Sequence, residues 1–181
     1  MQLTICDHLI PERLWRAASA DWPGDDWSGW HAYADGKRAS RSVETAPRSI
    51  RLCLEFLALR SPLFAAEAFP DLSFYGAGLH ELPAGVGLDW HRDAARHPLR
   101  PWRRAATSLL YLDDGGELIF RGDPELRAAP RPGRVATFAG AAEHCVAPSS
   151  CRRRSLAVFF YVLDPTAGGS GQAEFRHAQD D

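Results

Sequence analysis

Two ionisable side chains stand two positions apart in Leu88-Asp89-Trp90-His91-Arg92-Asp93, and a second histidine, His144, follows far along the chain. Side chains alternate along a β-strand, so His91 and Asp93 share one face and can reach one ion. With His144 from a distant strand they place two imidazoles and a carboxylate on one side of a metal and leave the other side open, a donor set that suits Fe(II). Arg154, ten positions after His144, is placed to hold the far end of an acidic molecule bound there. Its planar fork can donate two parallel hydrogen bonds to a carboxylate and stays charged in a partly dry site. Arg152, Arg153 and Arg154 are consecutive, so one or two at most face inward. Arg154 is preferred because Leu156, Val158 and Phe160 would share its inward face; Arg153 is the alternative.

The elements that must position these groups read mostly as strands. Ala105 to Leu112 is an apolar run of strand length, and Asp113-Asp114-Gly115-Gly116 reads as a tight reversal into a second strand, Glu117 to Phe120, the two forming a hairpin. Pro132-Gly133 precedes a strand from Arg134 to Phe138, His144 follows a loop, and Ser155 to Val162 is a long β-rich run. That order predicts a small antiparallel barrel or jelly roll.

Between about Phe74 and Asp164 the chain resembles the Fe(II)- and 2-oxoglutarate-dependent oxygenases, in their prolyl-4-hydroxylase-like branch. The resemblance is carried by Gly78-Leu79-His80-Glu81, Gly85 and Gly87, His91-Arg92-Asp93, His97-Pro98, Arg103-Arg104, Leu109 to Leu112, Gly115 to Leu118, His144 and Arg154. It implies a mainly β fold with flanking helices around a double-stranded β-helix (jelly roll, cupin-like) core. It further implies Fe(II) held by His91, Asp93 and His144, 2-oxoglutarate held by Arg154 with a hydrogen bond from Tyr111 and with Leu118 lining its pocket, dioxygen as oxidant and ascorbate as an optional reductant. The ten-residue interval from His144 to Arg154 matches that family. The implied activity is hydroxylation of an unactivated C–H bond coupled to conversion of 2-oxoglutarate to succinate. Related halogenating enzymes carry a small residue where Asp93 stands, so Asp93 argues against halogenation.

At 181 residues and 45% hydrophobic, the chain is long enough for one core and short for two, so a single oxygenase domain is expected: a helical support region 1–72, the β-helix core 73–164 and a flexible tail 165–181. A formal net charge of −2 gives no global field for a nucleic-acid backbone. The second inward arginine usual in nucleic-acid demethylases of this superfamily would fall on Phe160. Arginines cluster near the metal motif, and Arg104 is expected at the site mouth, selecting an anionic substrate; His80 would border the cavity, and Lys37, the one lysine, lies well outside the core. The cysteines Cys6, Cys53, Cys145 and Cys151 lack zinc-type spacing and read as free thiols, no stretch approaches the ~20 apolar residues of a membrane helix, and a cytoplasmic location is expected.

Upstream, Asp7 to Ala20 reads as a short amphipathic helix with Asp7 as N-cap, Pro47 starts a second helix with Ile50, Leu54, Phe56, Leu57 and Leu59 as its apolar face, and Pro62 to Phe69 reads as a third. Trp27 and Trp30 pack in the core or form a substrate wall. Three functional classes follow: a small-molecule hydroxylase, favoured by the compact chain; a peptidyl or protein hydroxylase needing an open groove; and a non-enzymatic metal-binding barrel.

Overall fold

The computed structural model describes residues 2–25, 27–32, 37–40, 43–63 and 65–168. In chain order the first elements are β1 (Leu3–Cys6), α1 (Glu12–Ala20), β2 (His31–Ala32), β3 (Arg38–Ser40), α2 (Arg48–Arg60) and β4 (Phe69–Asp71). There follow β5 (Ala77–Leu82), β6 (Leu88–Arg92), β7 (Trp102–Tyr111), β8 (Leu118–Phe120), β9 (Leu126–Ala128), β10 (Val135–Ala139), β11 (Glu143–Val146) and β12 (Arg153–Leu163).

The larger sheet runs β1-β10-β7-β12-β5-β3-β2, with β4 paired to the far part of β12; the smaller runs β6-β11-β8-β9. Every pairing is antiparallel. The inner faces of the two sheets share one apolar cluster that includes Phe120, Phe138 and Tyr111, and the helices cover the outer face of the larger sheet. This is the mainly β, jelly-roll arrangement expected from the sequence. Full burial of a side chain such as Phe138 or Leu156 contributes roughly 1.5–3 kcal/mol.

β12 is buried on both faces. Arg153, Ser155, Ala157, Phe159 and Tyr161 look between the sheets, while Leu156, Val158 and Phe160 pack under the helices. The strand therefore has the opposite phase to the one expected, and the consequence for the arginines is described below.

β7 and β8 do not form a hairpin, because they belong to different sheets. Asp113 to Gly116 instead carries the chain across. A Cβ on Gly115 would lie 2.7 Å from the Arg152 carbonyl oxygen, and Gly116, at φ 59°, would bring one to 2.6 Å from that of Ala147. Gly116→Ala is expected to cost about 1–3 kcal/mol from the left-handed backbone alone, and more from displacement of the Ala147 carbonyl. Gly85, at φ 83°, has nothing within 4 Å of its notional Cβ, so Gly85→Ala is the control for the backbone contribution. Urea midpoints at unchanged slope measure both, and equal losses would refute the close-approach argument.

The N-terminal region contributes strands as well as helices. β1 pairs with β10, and Asp7, rather than capping α1, takes the fork of Arg134 at 2.7 and 2.9 Å, whose hydrogen bonds hold its carboxyl below the usual range. Helix α1 starts at Glu12 with Pro11 in the cap position and no side-chain cap. Helix α2 follows Pro47 as expected and buries Ile50, Cys53, Leu54 and Leu57, the i, i+3, i+4, i+7 stripe; Leu59 falls off that stripe and is 81% exposed. No third helix forms among the described residues of 62–69; the segment is shorter than a self-sustaining helix and feeds β4, whose Phe69 pairs with Tyr161. Trp27 stacks edge-on against Trp30, and both pack against the helix-side core, not against the cavity. Pro165–Gly168 forms one 3-10 turn, and the remainder of the expected tail, 169–181, lies outside the described residues. No helix among the described residues is long and apolar enough to cross a membrane.

Candidate metal centre and co-substrate pocket

His91 on β6 and His144 on β11 are direct cross-strand partners, with ring centroids 4.3 Å apart. Each ring is fixed by a carbonyl two residues earlier: Nδ1 of His91 lies 2.7 Å from the Asp89 oxygen, and Nδ1 of His144 lies 2.9 Å from the Ala142 oxygen. A carbonyl only accepts, so Nδ1 carries the proton and Nε2 keeps its lone pair for a metal. Asp93, just past the end of β6, completes the group; one donor atom from each of the three residues can be chosen so that all lie within 4.8 Å of one another. Burial lowers the pKa of His144, partly opposed by the charge of Asp93, which favours the neutral form that binds metal.

Asp93 is held from the other sheet. The hydroxyl of Thr107 on β7 donates to Asp93 Oδ2 at 2.6 Å, and Nη1 of Arg104 stands 3.6 Å from Oδ1. Thr107 was not singled out in the sequence, although alternation from Tyr111 through Leu109 places it on the inward face.

Arg153, not Arg154, lines the cavity with this triad. Its side chain lies over the ring of Tyr111, with Cζ 5.0 Å from the centroid, and its Nε and Nη1 are buried without a hydrogen-bond partner. The Tyr111 hydroxyl is likewise buried and unpartnered. Burial pushes the tyrosine up and the arginine down in pKa. Unpaired donors this deep are costly unless a ligand satisfies them, and a planar carboxylate matches both groups.

Arg154 points the opposite way, as alternation along β12 requires. Its Nε and Nη2 bond the two Asp113 oxygens at 2.7 and 2.8 Å, its Nη1 and Nη2 reach the Ser19 carbonyl and hydroxyl at 3.0 and 2.9 Å, and its own backbone N–H donates to Asp113 at 2.9 Å. The expectation that Arg154 faces the ion is therefore corrected: it ties the start of β12 to α1. Six positions beyond Arg153 stands Phe159, so this phase also puts no second arginine inward at that interval.

The cavity between the sheets measures about 180 Å³. Leu82, Leu109, Leu118 and Val146 give it apolar walls, and His80 and Arg104 line it as the sequence suggested. Lys37, expected well outside the core, also lines it, because β3 pairs with β5 and brings its leading end beside Leu82. Glu81 turns to the other face and accepts from Trp22 Nε1 at 2.9 Å. His97 is structural: its Nδ1 accepts from the Leu99 N–H at 3.1 Å, its Nε2 pairs with Asp71 at 3.1 Å, and its ring packs against Tyr75, Trp102 and Tyr161. All four cysteines are free, and Cys145 alternates away from the cavity.

Residues 77–161, the strands that carry the triad and Arg153, match the family model described as the 2OG-Fe(II) oxygenase superfamily. No curated protein matches the chain significantly. Among solved structures, the fold is similar to a Pseudomonas putida prolyl-4-hydroxylase (21% identity, 88% of this chain and 92% of that one, TM-score 0.65). It is similar also to a Trichoplax adhaerens prolyl hydroxylase in complex with a hypoxia inducible factor peptide fragment (16%, 93% and 87%, 0.65). A third likeness is to SnoK, a non-haem alpha-ketoglutarate-dependent carbocyclase from nogalamycin biosynthesis (14%, 88% and 80%, 0.70). With two imidazoles and a carboxylate converging beside an unpaired buried arginine, residues 77–161 are those that the family model identifies as a 2OG-Fe(II) oxygenase.

Proposed function

We propose that this dioxygenase hydroxylates a C–H bond of a small molecule, with the whole chain acting as one oxygenase unit. When bound, Fe(II), 2-oxoglutarate and dioxygen together supply the oxidation: one oxygen atom enters the C–H bond and the other enters succinate, with release of carbon dioxide. His91, Asp93 and His144 hold the iron, and Thr107 fixes the Asp93 carboxylate so that it presents Oδ1. Arg153 and the Tyr111 hydroxyl hold the distal carboxylate of 2-oxoglutarate, while Leu118, Leu82 and Leu109 keep water from it. The observation that carries the reading is the pair of unsatisfied buried groups, Arg153 and Tyr111, set beside the triad. At about 180 Å³ the cavity is smaller than ordinary ligand pockets, roughly 300–1,000 Å³, so 2-oxoglutarate fills most of it and the substrate presents a small reacting part at the mouth. The free thiols accord with a cytoplasmic location.

A second reading, peptidyl hydroxylation, rests on β6: it is an edge strand of the smaller sheet, so its outer backbone groups are open to an added peptide strand beside His91. Anaerobic titration of the Fe(II)-loaded protein with 2-oxoglutarate tests the proposal. A weak visible charge-transfer band is expected in wild type and not in Asp93→Ala; its absence from fully iron-loaded wild type would overturn the cofactor chemistry. Succinate release with free amino acids against short peptides then separates the two readings.

A further inference from the structure

We infer that the molecule oxidised is an anion, and that Arg104 binds its carboxylate or equivalent group beside the metal. This rests on the oxygenase reading above and adds the substrate class.

Among the described residues lining the cavity, Arg104 and Arg153 are cationic beside the Asp93 carboxylate, a formal +1 that leaves out Lys37, which has a partner of its own. The chain as a whole is −2, so this field is local and not a reflection of composition. A dication at the triad and a dianionic co-substrate cancel, and the +1 remains for whatever occupies the rest of the cavity. Such walls favour an anion electrostatically and draw it in.

The two arginines cannot serve one ligand carboxylate. Arg153 pairs across β12 with Leu82, whereas Arg104 pairs with Tyr161, eight residues further along the strand or roughly 26 Å at 3.3 Å per residue, so they belong to opposite ends of the cavity. Arg104 is also held rigidly. Its Cζ lies 3.5 Å from the centroid of the Phe159 ring, and its Nε is buried without a partner. Among the described residues its close acid is Asp93, and 3.6 Å is an ion-pair distance and not a hydrogen bond. Once Asp93 shares its charge with a dication, Arg104 stands beside a net positive centre, and an anionic substrate group restores the balance.

The test uses the full chain loaded anaerobically with Fe(II) and saturating 2-oxoglutarate. Three acids are each compared with their methyl esters: acetate, benzoate and N-acetyl-L-proline. Affinities come from thermal shift and from perturbation of the charge-transfer band. At least one acid is expected to bind ten-fold or more tightly than its ester. Arg104→Gln should abolish that preference and its salt dependence, with 2-oxoglutarate affinity unchanged. No binding by any acid, equal binding of acid and ester, or an Arg104→Gln protein that loses 2-oxoglutarate affinity would overturn the inference. Loss of the band in wild type would instead sink the cofactor reading beneath it.

Discussion

Replacing Arg153 with methionine is expected to weaken 2-oxoglutarate binding by about 2–5 kcal/mol, roughly 30-fold to several thousand-fold, and to leave Arg154→Met within about three-fold of wild type. The difference comes from where the two forks point. Arg153 is buried with two nitrogens unpaired beside the triad, whereas Arg154 is already saturated by Asp113 and Ser19. Stability should move the opposite way. Without ligand, Arg153 is an uncompensated buried cation, so a hydrophobe of similar length is expected to stabilise the apoprotein by about 1–4 kcal/mol. Arg154→Met breaks charge-assisted bonds between β12 and α1 and should cost about 1.5–3 kcal/mol. Calorimetric titration with 2-oxoglutarate and thermal melts of both variants check this crossed pattern. Weaker binding in Arg154→Met than in Arg153→Met would return the carboxylate to Arg154.

Alanine at His91, Asp93 or His144 is expected to abolish iron-dependent turnover and to weaken Fe(II) binding by more than about 100-fold, beyond the loss typical of a merely supporting contact. The three variants should part company in the apoprotein. His144 is 3% exposed, and its ring packs on Phe120 and Phe138 at 5.6 and 4.7 Å, so its truncation opens a cavity costing about 2–5 kcal/mol. His91 is only half-buried, and His91→Ala should lose the metal at nearly unchanged apoprotein stability. Iron stoichiometry after anaerobic loading, measured alongside urea denaturation, separates ligation from folding. Full iron occupancy in both histidine variants would refute the assignment.

The triad was legible because its signal is local: His91 and Asp93 lie on one strand, where period two decides what faces what. The arginine was not legible for the corresponding reason. Ser155 to Val162 is buried on both sides of β12, so the run has no amphipathic phase, and three consecutive arginines fit either phase. The choice is made by long-range partners, the ladder to β7 and the Asp113 carboxylate that captures Arg154. Lys37 was misplaced for the same kind of reason, since only the pairing of β3 with β5 brings it to the cavity. The glycine pair after Asp114 announced a turn, but whether a turn returns to its own sheet or crosses to another depends on what packs against it.

The triad draws its two imidazoles from one sheet, while the carboxylate is hydrogen-bonded to Thr107 of the other. That hydrogen bond is a clasp across the jaws of the sandwich, set at the metal site itself. Any change in the spacing of the two sheets near Thr107 therefore moves the carboxylate relative to the imidazoles, so the grip on the ion and the packing of the core are one mechanical unit.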